Sequence, residues 1–248
     1  MESLKGLANE YAVATCLLCI VGHFGTYAVL WSPPGKRHEW ANFAFSSVFQ
    51  VLFVSSALYT FWELRTGVAE SIVHNHAVHV YQCLGGYFVY DLLYLVLHGT
   101  EHTGFILHHI AAITFVNMFV VYGFSALWFN LLFAAMGEGA NPFLSLRQIL
   151  RYIPGEASLL YKLNQTILVG LYLVLRVVGF PLILAIHLPE VLDKRLPWYK
   201  WVPPFAVTIA VWAVGLGWFS ALWKEWHRVI VLGKTRDKMR DSESNKER

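Results

Sequence analysis

The 248 residues are 56% hydrophobic and 16% aromatic but only 14% charged, with a formal net charge of +3 and a mean hydropathy of +0.48. That is too apolar for a soluble domain of this length. At roughly 20 apolar helical residues per crossing of a bilayer core, the chain reads as an all-α polytopic membrane protein of about seven spans (range six to eight), with almost no extramembrane domain.

The first apolar run, 11–31, is preceded by Glu2, Lys5 and Glu10 rather than a basic n-region, and is read as a retained helix. Ser32-Pro33-Pro34-Gly35 breaks it before Lys36, Arg37 and His38. The second run is 42–62. Residues 65–79, with His74, His76 and His79, are too polar to span and read as an interfacial loop. The third run, 80–98, carries Asp91; a polar turn leads to the fourth, 105–122, which opens with His108-His109. A fifth, 125–136, is short and runs into MGEGANPFLSLR, where Glu138 sits between two glycines near Asn141-Pro142. The sixth, about 163–187, contains Arg176 and a Pro181 expected to kink it. Trp198 and Trp201 stand at interface level before the seventh, 204–223, and the tail beyond Gly233 is charged and read as disordered. Cys16, Cys19 and Cys83 all lie in apolar runs and read as packing residues rather than a disulfide or zinc framework.

An aspartate at membrane depth costs on the order of 3 kcal/mol, so Asp91 and the adjacent histidines are by default a functional-site hypothesis. At 1.5 Å per residue, Asp91 lies roughly 10 Å, His109 roughly 6 Å and Glu138 about 10 Å below the same membrane face. Adjacent histidines point about 100° apart, so one can address Asp91 while the other faces a neighbouring helix or a cavity. Histidine beside a carboxylate is the usual general base of acyl transfer. The candidate catalytic set is therefore His108, His109, Asp91 and Glu138. The same residues are also compatible with interhelical polar contacts, and His23, alone on an apolar face, reads as structural. Arg176 is expected to neutralise Asp91 or Glu138. A membrane di-iron centre would use His98, His102 and the His108-His109 pair, but no His-x-x-His-His stretch occurs and no metal is assigned.

The succession Tyr90-Asp91-Leu92-Leu93, His108-His109, Glu138 with Asn141-Pro142-Phe143-Leu144 and Arg147, then Leu160-Tyr161-Lys162-Leu163-Asn164, and Arg176 with Pro181, resembles the TLC domain. The likeness is greatest to the small TLC domain-containing proteins. The resemblance divides the chain into a first helix with a basic loop (1–39), a TLC domain (40–230) and a charged tail (231–248). It implies a ring of helices around a lipid-accepting chamber faced by the histidine pair, a role in membrane lipid metabolism, and residence in the endoplasmic reticulum. Asn141, Arg147, Asn164 and Arg176 become candidate substrate-binding residues. Ceramide synthases, the best-known enzymes of the family, carry a His-Asp and a further Asp where this chain has Ala134 to Gly139 with the single acid Glu138, so ceramide synthesis is not carried over. Two readings stand. One is an acyl-CoA-dependent lipid acyltransferase, with acyl-CoA as co-substrate and no cofactor. The other is a non-catalytic lipid-binding or lipid-transport protein. In both, the partners are membrane lipids, with no nucleic acid.

Across seven spans, 13 Lys and Arg fall on one side (Lys36, Arg37, Arg147, Arg151, Lys162 and eight in the tail) against 5 on the other (Lys5, Arg65, Lys194, Arg195, Lys200). The positive-inside rule then puts the C-terminus in the cytosol and the N-terminus across the membrane. Asn164-Gln165-Thr166 is a sequon at the cytosolic mouth of a helix, where it stays unmodified. After selective permeabilisation of the plasma membrane, antibody is expected to reach a C-terminal tag and not an N-terminal one. Both tags reporting the same side would refute the seven-span count.

Overall fold

The computed structural model describes residues 2–30, 35–98, 103–122, 127–151, 158–193 and 198–233, and among these there is helix and no strand. The helices are α1 (Glu2–Val29), α2 (Arg37–Arg65), α3 (Glu70–Leu97), α4 (Thr103–Tyr122), α5 (Leu127–Glu138), α6 (Asn141–Leu150), α7 (Leu159–Tyr172), α8 (Phe180–Asp193) and α9 (Trp198–Trp226). A π-helical segment, Leu173–Gly179, joins α7 to α8, and a second, His227–Val231, extends α9. Five stretches are long and apolar enough to cross a bilayer: Glu10–Val29, Arg37–Arg65, Glu70–Leu97, Leu159–Pro189 and Phe205–Val231. With α4 and the α5–α6 pair, the described helices fall into the seven rods expected from hydropathy.

One expectation changes. The stretch 65–79 is not a loop, because α3 starts at Glu70 and carries His74, His76 and His79 on its first turns. Gly67, at φ +85, makes the turn after α2, and nothing after it breaks a helix. At 28 residues, α3 is about 42 Å long against a core of about 30 Å, so its polar start projects beyond the hydrocarbon. There the His76 ring meets the buried Glu63 carboxylate at 2.8 Å, and Tyr11 stacks on His79. In MGEGANPFLSLR the helix breaks and then resumes as α6. Pro142 has no N–H for the carbonyl of Glu138, so α5 ends there and a new helix begins with the proline in its first turn. Both halves lie along α2. Pro181 acts through hydrogen bonding too: it cannot donate to Val177, the segment before it is π-helical, and the Val177 carbonyl accepts from the Trp212 indole of α9 at 3.1 Å.

α3 packs on α1, α2, α4 and α5, which puts it at the centre. Its Tyr81, Leu84, Tyr87 and Phe88 join Phe115, Phe129, Phe133 and Phe180 in one aromatic core. Outward faces are apolar as well: Leu17, Leu18, Val21 and Phe24 on α1 and Ile209, Val214 and Leu216 on α9 are exposed, as lipid-facing side chains should be. Ser158 starts α7, its side chain accepting from the Tyr161 N–H at 3.1 Å. The α1–α3 contact is a close backbone approach, since a Cβ at Gly86 would lie 2.2 Å from the Ala12 carbonyl oxygen. Gly86→Ala is therefore expected to cost about 1–3 kcal/mol in detergent unfolding. Gly25→Ala, where nothing lies within 4 Å, is expected to cost nothing. Equal stabilities for the two variants would remove that contact from the account.

Candidate functional site

Asp91 of α3 and His109 of α4 meet directly, with His109 Nε2 2.8 Å from Asp91 Oδ2. The other carboxylate oxygen accepts from Asn42 Nδ2 of α2 at 3.3 Å. Asn42 Oδ1 in turn accepts from the Tyr90 hydroxyl at 2.7 Å, and that hydroxyl oxygen is 2.9 Å from His23 Nδ1 of α1. Four helices thus contribute to one polar chain. Asn42, His109 and His23 are buried, and a buried polar group that keeps its partners avoids a penalty of several kcal/mol in hydrocarbon.

The two histidines diverge as helical geometry requires. His109 turns to Asp91. His108 instead lines a cavity of about 50 Å³ together with Glu138 and Arg176, behind walls formed by Tyr81, Phe88, Phe133 and Phe180. The two imidazoles stand edge to face at 5.5 Å, and Trp218 of α9 meets His108 in the same manner at 5.2 Å. At about 10–15 Å³ per water centre the cavity holds a few waters. That space is smaller than an acyl chain or a lipid head group.

Arg176 sits in the π segment and reaches back to the broken helix. Its Nη2 donates to the Gly137 carbonyl in the last turn of α5 and, at 2.9 Å, to Asn141 Oδ1; its Nη1 donates to the Tyr172 hydroxyl at 3.3 Å. Asn141 Nδ2 donates to Glu138 Oε2 at 2.7 Å. The expected direct pairing of Arg176 with Asp91 or Glu138 is not formed. Asn141 stands between the two charges, accepting from one and donating to the other, because the helix break places it one turn beyond Glu138. The guanidinium also covers a carbonyl in the last turn of α5, where helical donors run out.

Arg147 and Asn164 are placed elsewhere. Arg147 is paired with Glu225 of α9, which also accepts from Arg151 and from the Tyr161 hydroxyl, each at 2.8 Å. Asn164 Nδ2 donates to the Phe143 carbonyl at 2.9 Å. Neither residue lines the cavity. They tie α6 to α7 and α9. Among the described residues no three His, Cys, Asp or Glu side chains are placed to hold a metal ion; His102 lies outside them. Asn42 and Glu225 went unnoticed in the sequence, Asn42 as the first residue of an apolar run and Glu225 as one charge among several after the last span.

A family model described as the TLC domain matches residues 39–224. The chain belongs to the TLC-domain family. Over 156 residues it is 28% identical to TLC domain-containing protein 2 of Danio rerio, covering 56% of this chain and 57% of that protein. It is 26% identical over 156 residues to TLC domain-containing protein 1 of Gallus gallus, covering 60% of each. The chain spans less than two thirds of the length of these relatives. No solved structure matches it. Within this TLC protein the matched segment holds Asn42, Asp91, His108, His109, Glu138 and Arg176, while α1, and with it His23, lies outside.

Arg176→Met is expected to lower thermal stability in detergent by about 1–3 kcal/mol, the penalty for a buried acceptor that loses its donor. Arg176→Lys, with one donor head for several acceptors, recovers only part. A methionine variant as stable as the parent would show that the guanidinium holds nothing together.

Proposed function

We propose that this TLC protein acts in membrane lipid metabolism through the cavity between α3, α4, α5 and α9. The observation that carries the reading is the convergence of His108, Glu138 and Arg176, from three separate elements, on one cavity otherwise walled by apolar side chains. Ionisable groups inside a membrane bundle are expensive to keep and mark function. In the enzymatic form of the reading, one imidazole of the histidine pair takes the proton from a lipid amine or hydroxyl as that group attacks the thioester carbonyl of acyl-CoA. The carbon–sulfur bond breaks, and coenzyme A leaves carrying the proton. Asp91 keeps His109 in one tautomer and stabilises its imidazolium. Glu138, steadied by Asn141, accepts from the lipid amine or hydroxyl, and Arg176 supplies positive potential. In this reading Arg147 and Asn164 brace the wall rather than touch substrate. The endoplasmic reticulum, with the C-terminus in the cytosol, is the location that suits a cytosolic acyl-CoA supply.

A second reading, lipid binding or transport without chemistry, is favoured by one observation. Glu138, Asn141 and Arg176 already satisfy one another, so they could hold a head group without turning it over.

Purified protein in defined lipid with acyl-CoA separates the two, because only the first forms a new acylated lipid. His108→Ala and His109→Ala are expected to lower that rate by about 10²–10⁴-fold while folding survives, since a buried polar contact in a membrane bundle is worth only about 0.6 kcal/mol. Asp91→Asn should lose part of the rate, because an amide can hold the ring but not stabilise its cation. If the double alanine variant fully restores the lipid profile of knock-out cells, the enzymatic reading fails.

A further inference from the structure

The hydrogen bonds around Asp91 all run one way. A carboxylate only accepts, so Asn42 presents its Nδ2 to Asp91 Oδ1, and the opposite flip would set a carbonyl oxygen against a charge. Asn42 Oδ1 is thereby turned to Tyr90, whose hydroxyl proton is committed to it. The Tyr90 oxygen is left to accept from His23 Nδ1–H at 2.9 Å, and His23 Nε2 faces His38 Nδ1 at 3.4 Å on the first turns of α2. Both oxygens of Asp91 are then held from opposite sides, by α2 through Asn42 and by α4 through His109. A carboxylate clamped in this way cannot turn.

We propose that Asn42 and Tyr90, backed by His23 of α1, are positioning residues that fix the Asp91 carboxylate and so hold His109 as the Nε2–H tautomer with Nδ1 as its basic nitrogen. The proposal rests on the reading that the histidine pair is the working site. It gives α1, which lies outside the segment matched to the TLC family, a part in that site. Plain interhelical attachment would need the contacts but no direction. Here the direction is set by Asp91 and passed outward through three side chains, each with one donor and one acceptor in use.

The test is nitrogen NMR of the full chain in lipid nanodiscs with labelled histidine, the His109 signals being assigned by their loss in His109→Gln. In the parent protein the Nε2–H tautomer of His109 is expected to dominate over a minor, measurable Nδ1–H form. Asn42→Leu and Tyr90→Phe are expected to raise the minor tautomer by about threefold, the factor that one buried membrane hydrogen bond is worth. His23→Leu should move it in the same direction by less, and Trp212→Phe, remote from the chain of bonds, not at all. An unchanged His109 tautomer in Tyr90→Phe, which deletes one oxygen and leaves the ring packing, would overturn the proposal even if Asn42→Leu fails to accumulate. The readout needs no turnover. A shifted tautomer in a protein that makes no acylated lipid would sustain the positioning role and sink the acyl-transfer reading alone.

Discussion

A bundle facing hydrocarbon has no solvent to complete its hydrogen bonds, and this constraint bears on both proline-disturbed helices described above. Two prolines remove helical donors, Pro142 for the Glu138 carbonyl and Pro181 for that of Val177. The loss at Val177 is met from another element, since the Trp212 indole donates to that carbonyl. At the first break Arg176 reaches across to the neighbouring Gly137 carbonyl. The second disturbance also bears on the first break, since the π segment ahead of Pro181 is the one that carries Arg176. Departures from regular helix and the concentration of charge are one phenomenon.

The same economy explains why the polar residues form two nets instead of scattered pairs. Around Asp91, side chains from α1 to α4 close one net. Around Glu225, side chains from α6, α7 and α9 close another, with Arg147, Arg151 and Tyr161 converging on a single carboxylate. The cavity with His108 lies outside both; its wall includes the last turns of α5, where Asn141 bridges Glu138 and Arg176. The carboxylate at the centre of each net takes several protein donors, Asp91 from Asn42 and His109, Glu225 from Arg147, Arg151 and Tyr161.

Much of this was legible in the chain. Hydropathy located the rods, the 100° step between neighbours split His108 from His109, and Pro181 marked the disturbed helix. What failed did so for physical reasons. His74, His76 and His79 depress hydropathy and so look like a loop, yet a helix longer than the hydrocarbon can carry polar residues on its overhang, where Glu63 and Tyr11 meet them. The pairing of Arg147 was not legible, because its partner Glu225 is 78 residues away, on the far side of two helices, and pairing at that separation leaves no local pattern. Asn42 drew no notice as the first residue of the run 42–62, since an amide at the mouth of an apolar run is common at helix ends. Arg176 was rightly seen to need neutralising company, but an amide placed by the helix break came between it and the acid.

The place of His23 on α1 has a consequence for how the molecule is made. α1 is made before α2 and α3, and its imidazole meets His38 on the first turns of α2 and Tyr90 on α3. The backbone approach at Gly86 likewise waits for α3. Until α3 has followed α2 into the bilayer, the polar side chain of α1 lacks one of its two partners. The docking of α1 is thus completed by helices made after it, and the three depend on one another for their contacts.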